Sequence, residues 1–385
     1  MIGFRPHIQT AQSRSKNALI AAREFHARVA QPDMGMVIFF CSNQYDLAVL
    51  GAELNRLFYP TPLVGCTTAG EIGPGAYCEF SLTGASFPRA DFTFSVGRLG
   101  ELRRFAVSEG EHFARSLLQS LEENVPAAQI NNRFAFLMID GLSTKEEAVA
   151  HSFQSALGTV PMVGGSAGDS LGFGNTYVYH EGRFHPNSAV LVLGATSRPI
   201  RAFKTQHFLP GNERMVVTDA SPENRVVREI NGRPAAQEYA RLLQVASSRE
   251  LDPQQFADSP VVVLIDGEAY VRSIQKVNAD GSLTFYCAVE DGLVLRIAES
   301  IDIYGNLETC LERIDDELGG IQLLLGCDCV LRRLEIRRKG LEDKIWALLN
   351  RYRTVGFNTY GEQYAGVHIN QTFTGIAFGV PPGDG

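Results

Sequence analysis

No CxxC pair occurs in this chain, so its seven cysteines offer neither a zinc ribbon nor a paired-thiol redox motif. Their odd number and scatter over 385 residues also exclude a disulfide framework. Cys327 and Cys329 flank Asp328, a spacing too tight for a metal knuckle, and the cysteines read as buried or loop thiols. Positive charge is in deficit as well. Lys and Arg number 35 against 43 Asp and Glu, and a net charge of −8 repels nucleic-acid phosphates and anionic lipid alike, so no nucleic-acid partner is expected. The longest basic stretch, Arg332, Arg333, Arg337, Arg338 and Lys339, is interrupted by Leu334 and Ile336 and reads as a solvated helix face. No apolar run approaches the roughly 20 residues of a membrane span, and MIGFRPHIQTAQS has no apolar stretch of signal-peptide length. The expectation is a cytoplasmic protein without membrane insertion. Catalytic signatures are missing too: there is no Walker loop, G-x-S-x-G elbow or H-E-x-x-H, and no catalytic residue is assigned. An unrecognised hydrolase, with Asp140 to Ser143 and Cys41 or Cys327 as a nucleophile cluster, is the enzyme alternative.

What is present is a globular composition, 45% hydrophobic and 20% charged, and an internal repeat. Three apolar runs, MVIFF (36–40), FAFLMI (134–139) and IQLLL (321–325), each end in a polar turn: Cys41-Ser42-Asn43, Asp140-Gly141-Leu142-Ser143 and Gly326-Cys327-Asp328-Cys329. Helical periodicity follows each turn, through Tyr45 to Leu57, Ala148 to Leu157 and Leu341 to Leu349. Each helix leads to a Val-Gly pair, at Val64-Gly65, Val163-Gly164 and Val355-Gly356. Cys41 to Gly65 and Asp140 to Gly164 both span 24 positions; Cys327 to Gly356 spans 29, longer by about one helical turn.

Beyond that pair, copies one and three agree at a constant offset of 291. Val64, Gly65, Thr68, Gly70, Glu71, Thr83, Gly84 and Phe87 recur as Val355, Gly356, Thr359, Gly361, Glu362, Thr374, Gly375 and Phe378. Copy two, VGGSAGD (163–169), places Asp169 at the acidic position. The fold class is therefore α/β, with repeated strand-helix-strand units in two halves. Strand-helix-strand crossovers make parallel strands, and loops at strand carboxyl ends are the usual ligand sites. Thr68, Glu71, Ser166, Asp169, Asn358, Thr359 and Glu362 are the ligand-loop candidates. The alternative is that the glycines permit tight turns and the acids cap neighbouring backbone. The two copies should superpose, with Glu71 and Glu362 equivalent.

Between copies two and three, VVVLID (261–266), AYVRSI (269–274) and LTFYCAV (283–289), the last two joined by the Asn278 to Gly281 turn, read as an antiparallel β insert in the C-terminal half. INGRPAAQEYARLL (230–243) reads as a helix with Pro234 near its start. A loop-like stretch around Pro199, Pro210 and Gly211 sets a boundary near 197–215.

LMIDGLSTKEEAV, VGGSAGDSLGFGNTYVYHEGRFHPNSAVLVL and GCTTAGEIGP resemble the N-terminal FIST domain. INGRPAAQEYARLL and VGFNTYGEQYAGVHINQTFTGIAFG resemble its C-terminal partner. The resemblance implies FIST N over 1–200, FIST C over 215–385, and an intracellular ligand sensor beside signal-transduction proteins. TQHFLPGNERMVVTDA (205–220) and FNTYGEQYAGVHINQTFTG resemble the haem-binding, nitric-oxide-sensing (NosP) branch, which implies a haem cofactor, a nitric oxide ligand and a partner sensor histidine kinase. No CxxCH anchors haem covalently. Haem needs an axial donor, most often imidazole, in an apolar pocket. His7, His26, His112 and His151 fall in terminal or helical surface contexts, and His180 and His185 flank a hairpin turn. His207 and His368 lie within the branch-like segments, and either one is the candidate iron ligand, with Phe208, Tyr360 and Tyr364 as cofactor walls. A sensor of an amino acid or other small metabolite without haem is the alternative reading.

Overall fold

A computed structural model describes residues 7–381 except 127, 128, 130, 131, 171, 173 and 266. Copy one runs β1 (Gln9–Ser13), α1 (Ala18–Val29), β2 (Met34–Ser42), α2 (Leu47–Phe58), β3 (Leu63–Thr68), β4 (Glu71–Gly73), β5 (Ala76–Cys78) and β6 (Leu82–Pro88). Copy two repeats that order as β7 (Phe92–Leu99), α3 (Val107–Asn124), β8 (Asn132–Ile139), α4 (Glu146–Leu157), β9 (Met162–Ser166), β10 (Val178–His180), β11 (Arg183–His185) and β12 (Ala189–Thr196). Copy three opens with β13 (Ile200–Thr205), and its chain then passes through the insert. The insert comprises β14 (Phe208–Ser221), β15 (Val226–Ile230), β16 (Arg233–Pro234), α5 (Ala235–Leu242), α6 (Pro253–Asp258), β17 (Val261–Ile265), β18 (Glu268–Arg272), β19 (Ile274–Val277), β20 (Leu283–Phe285) and β21 (Val294–Ser300). Copy three resumes as α7 (Ile303–Leu318), β22 (Ile321–Cys329), α8 (Val330–Arg338), α9 (Glu342–Arg351), β23 (Thr354–Thr359), β24 (Glu362–Tyr364), β25 (Val367–Ile369) and β26 (Phe373–Gly379).

Two compact units result: residues 1–204, 308–367 and 373–385 form the first, and 205–307 with 368–372 form the second. The three copies build three six-stranded sheets, ordered β1-β6-β2-β3-β10-β11, β25-β24-β9-β8-β12-β7 and β13-β26-β22-β23-β4-β5, all within the first unit except Thr205 of β13 and the last two residues of β25. Each sheet takes the two strands at one end from another copy. Hairpin β4-β5 of copy one pairs on β23 of copy three, β24 of copy three pairs on β9 of copy two, and β10 of copy two pairs on β3 of copy one. The exchange closes a cycle and covers an edge of each repeat that would otherwise expose an unpaired ladder. Elements β3 to β6 and β23 to β26 keep the offset of 291 at every boundary, so the two copies match as the repeat predicts.

The apolar runs are continuous because β2, β8 and β22 are buried on both faces. One face sends Ile38, Phe40, Phe136, Met138, Leu325 and Cys327 into a core shared by the three sheets, together with Val64, Val163 and Val355. The other face of β2, Val37, Phe39 and Cys41, lies under α1 and α2; Ala135, Leu137 and Ile139 of β8 lie under α3 and α4. Asn17 and Asp46 fix the starts of α1 and α2 by accepting from the amides of Ile20 and Val49. Among the described residues, no helix is long and apolar enough to cross a membrane.

Several expectations change. Cys41, Ser42 and the whole Gly326 to Cys329 segment belong to strands, because the ladder to the following parallel strand runs on to Ser42↔Thr68 and Cys329↔Thr359. The longer third copy holds two helices, since Gly340, at φ 65°, ends α8 before α9 starts. The stretch 197–215 is mostly strand: β13 joins the third sheet, and Pro210 pairs opposite Ala298 beside a bulge in β14. LTFYCAV contributes only Leu283 to Phe285 as strand, and the 269–274 run divides between β18 and β19. The glycines of the three Val-Gly pairs lie within β3, β9 and β23 rather than in turns. A Cβ at Gly65, Gly164 or Gly356 would meet the carbonyl oxygen of its ladder partner at 2.4, 2.2 or 2.1 Å.

The second unit is an eight-stranded antiparallel sheet with main order β18-β17-β21-β14-β15-β20-β19. Pro234 caps α5 near its start, as the sequence implies.

Gly356→Ala should destabilise the protein by about 3 kcal/mol, because a central strand must move to admit the methyl group. Gly35→Ala, whose Cβ would find its nearest atoms at an ordinary 3.4 Å, should stay within about 1 kcal/mol. Urea titrations of both variants check the difference, and equal midpoints would contradict the close-approach reading.

Candidate functional site

The acidic positions are clasps. Glu71 is fully buried and accepts from Thr68 Oγ1, Ser81 N (2.8 Å) and Ser81 Oγ (2.9 Å), tying the end of β3 to the turn before β6. Thr359 donates to Glu362 in the equivalent place of copy three. Burial pushes the Glu71 carboxyl up to about 7 despite these donors.

Copy two departs from the sequence alignment. Glu71 pairs opposite Phe357 and Glu362 opposite Gly165, but the matching position, opposite Cys66, is filled by Val178. The connection before the exchanged hairpin is two residues in copies one and three and eleven in copy two, 167–177. Asp169 therefore lies in that long loop rather than at the clasp. It accepts from the amides of Gly174 (2.7 Å) and Asn175 (2.8 Å) and from Tyr360 Oη. Asp140 holds the same loop through Thr176 Oγ1. Ser166 Oγ accepts from Gln363 Nε2 at 3.0 Å, and Tyr364 lies under Lys204 Nζ at 5.9 Å from the ring centre.

The feature that the repeat pattern hides is a polar seam between copies one and three, within the first unit. Asp328 at the end of β22 and Arg332 in the first turn of α8 form an ion pair of 2.7 Å with both side chains 2% exposed or less. Tyr77 on β5 donates to the other Asp328 oxygen at 2.9 Å and accepts from Asn358 Nδ2 at 2.6 Å. Burial, and then the Asp328 charge, raise the Tyr77 phenol well above its usual range, so it stays a donor at neutral pH. Arg333 Nη1 reaches Asn358 Oδ1 and the carbonyls of Ala69 and Cys78, each at 3.2 Å, and its guanidinium lies 4.9 Å from the Tyr77 ring centre. Gly70 makes room for it: a Cβ there would sit 1.6 Å from Nη1. Arg332 and Arg333 are thus buried and engaged, which corrects the reading of this stretch as a solvated face; only its later members, Arg337, Arg338 and Lys339, are exposed.

Over this seam opens a cavity of about 580 Å³ lined by Arg14, Lys16, Gln44, Tyr77, Cys78, Glu79, Phe80, Arg333, Arg337 and Glu342. Its size suits a small metabolite. Of the ligand-loop candidates, Asn358 touches its floor through Tyr77 and Arg333; Thr68, Glu71, Ser166, Asp169, Thr359 and Glu362 are not in its wall. Sequence reasoning missed Tyr77, Asp328, Arg332 and Arg333. The i,i+4 spacing of Asp328 and Arg332 was the available signal.

A second cavity in the same unit, about 320 Å³, is lined by Asn55, Tyr59 to Val64, Phe94, Val96 and His180 to Gly182. Burial lowers the His180 imidazole below its usual value and keeps it neutral. His207 and His368 line neither cavity. Both belong to the second unit, 0% and 2% exposed, with His207 against Phe208 at 4.2 Å between ring centres. The His368 carbonyl accepts from Arg272 Nη1 at 2.6 Å, and Gln371 bridges Ser273 Oγ and the Ala257 carbonyl. The buried Asn370 amide and Arg272 Nε have no partner among the described residues; such atoms suit a water or a small polar group. As packed, neither imidazole has the open axial face iron requires, so these residues do not fit haem without rearrangement.

Glu71 generates a pH signature. Its folded pKa of about 7 lies above the unfolded carboxyl value near 4.5, so the folded state holds the proton more tightly. Relative to Glu71→Gln, wild-type stability should fall by about 3 kcal/mol as pH rises from about 4.5 to about 7 and stay level above that. Parallel pH dependences of the two proteins, measured by chemical denaturation, would contradict the buried-carboxyl reading.

Comparison with known proteins agrees with this architecture. The FIST N domain model matches residues 35–233 and the FIST C domain model residues 235–365. An uncharacterized protein of Methanocaldococcus jannaschii is 22% identical over 362 residues, covering 82% of this chain and 67% of its own. FIST domains are signal-transduction sensor domains that bind small ligands. With both of its domain models matched in order across the repeats and the insert, the chain belongs to the FIST family.

Proposed function

We propose that this protein is a ligand-responsive regulator whose input is a small metabolite held in the cavity over Arg333, and whose output is the activity of a partner sensor histidine kinase. The observation that carries the reading is the Arg333 guanidinium. It joins carbonyls of copy one to the Asn358 amide of copy three directly below an open cavity, so a ligand there touches both sides of a junction between repeats. A ligand shifts a conformational equilibrium only through differential affinity for its states, and a ligand that contacts both sides of this junction can acquire that difference from any change in how the two sides meet. This favours the metabolite-sensor reading without haem. The haem and nitric-oxide reading rests on resemblance in 205–220 and 357–375 and would require the second unit to open around His207 or His368. A Soret band after haem reconstitution, lost in His207→Ala or His368→Ala, would support it.

A thermal-shift screen of metabolites on the full chain tests the principal reading. A ligand at 100 times its Kd should stabilise by about 2.7 kcal/mol. The same ligand should change autophosphorylation of the partner kinase, in the presence of this protein, by about fivefold or more. A kinase that responds equally to ligand-free and ligand-bound protein would sink the sensor reading.

A further inference from the structure

The charge in the Arg333 cavity runs against that of the molecule. A chain of net −8 gathers four cations, Arg14, Lys16, Arg333 and Arg337, around two carboxylates, Glu79 and Glu342. Lys16 is committed to Phe80, donating to its carbonyl at 2.9 Å and lying over its ring at 3.9 Å. Arg14 has no ion-pair partner among the described residues. The two remaining guanidinium groups converge on one oxygen: Glu79 Oε1 is 3.0 Å from Arg337 Nη1 and 3.5 Å from Arg333 Nη2. That is a poor use of two planar forks, each able to hold an oxyanion through a pair of parallel hydrogen bonds. Glu79 is also 59% exposed, so its contribution to stability is small and its release into water costs little.

We propose that the cavity is an oxyanion site, that its ligand presents a carboxylate or phosphate group to Arg333 and Arg337, and that Glu79 is the internal anion this group displaces. The proposal rests on the cavity being the input site. Three features argue for it together: two converging arginines with a loosely held carboxylate, a third guanidinium without a counterion among the described residues, and a wall that concentrates positive potential on an acidic protein. Displacement also has a route inward. Glu79 is two residues from Ser81, whose amide and hydroxyl hold the Glu71 carboxylate, so releasing Glu79 loosens the turn that clasps copy one. The chain's single tryptophan, Trp346 on α9, donates to the Gly73 carbonyl of the same hairpin at 3.4 Å and reports on its position.

The test is calorimetric titration of the full-length protein with inorganic phosphate and, separately, with malonate, each against sodium chloride at matched ionic strength, with Trp346 fluorescence followed in parallel. Saturable binding of either anion beyond chloride is expected, and the tighter of the two identifies the source of the group. Glu79→Gln should tighten that binding at least about threefold by removing the competitor. Arg337→Gln should weaken it about tenfold. Both side chains are largely exposed, so both variants are expected to fold, which far-ultraviolet dichroism confirms. Neither oxyanion binding beyond chloride, or binding unchanged in both variants, overturns the proposal. If an uncharged metabolite binds this cavity while both anions fail, the oxyanion assignment falls and the sensor reading stands. If no ligand of any charge binds there, both fall.

Discussion

Cyclic exchange of hairpins is the constraint on which the first unit depends. Each copy supplies four strands of a sheet and donates a hairpin to another, so the register of β4 on β23 also fixes where Glu71, Tyr77 and Cys78 stand relative to copy three. The central Val-Gly positions follow from the same constraint. Strands approach so closely at Gly65, Gly164 and Gly356 that no side chain fits, while the valine beside each fills the shared core.

Exchange has an electrostatic consequence. Placing the copy-one hairpin beside β23 buries the Tyr77 hydroxyl against Asp328 and the Ala69 and Cys78 carbonyls against α8, and each of these polar groups needs a partner. Asp328 and Asn358 serve the hydroxyl, Arg332 balances the Asp328 charge, and Arg333 serves the two carbonyls. Removing one member of the Asp328 and Arg332 pair would leave an uncompensated buried charge, which costs about 3–5 kcal/mol. The seam is therefore rigid below, whereas the exposed Glu79 and Arg337 above it are held only by contacts that water and salt weaken. A sensor needs that combination: a fixed floor that sets chemistry and a loose lip that can rearrange.

Sequence carried the strand-helix-strand units, their number and the equivalence of copies one and three, because apolar runs and a constant offset of 291 are local or periodic signals. It also carried the antiparallel insert. Hairpin exchange left no trace, since pairing partners in a ladder are not encoded in the spacing of one strand. The eleven positions between β9 and β10 misled the alignment: counting from Val163 brought Asp169 near the acidic position, while the ladder gives that place to Val178. Arg332 and Arg333 look like solvent-facing residues because arginine usually is; only the facing Asp328, Tyr77 and Asn358 make their burial favourable, and those arrive from other elements. Candidates chosen for being polar and near glycines, such as Thr68 and Thr359, turn out to serve the clasps.

The central claim is that one small ligand is felt on both sides of the junction between copies one and three. Amide hydrogen exchange of the full chain, with and without the best ligand from the metabolite screen, tests it most directly. Protection should rise together in 77–81 of copy one and 330–337 of copy three. Protection confined to one of these segments, or appearing instead around 59–64 and 180–182 at the second cavity, would contradict it.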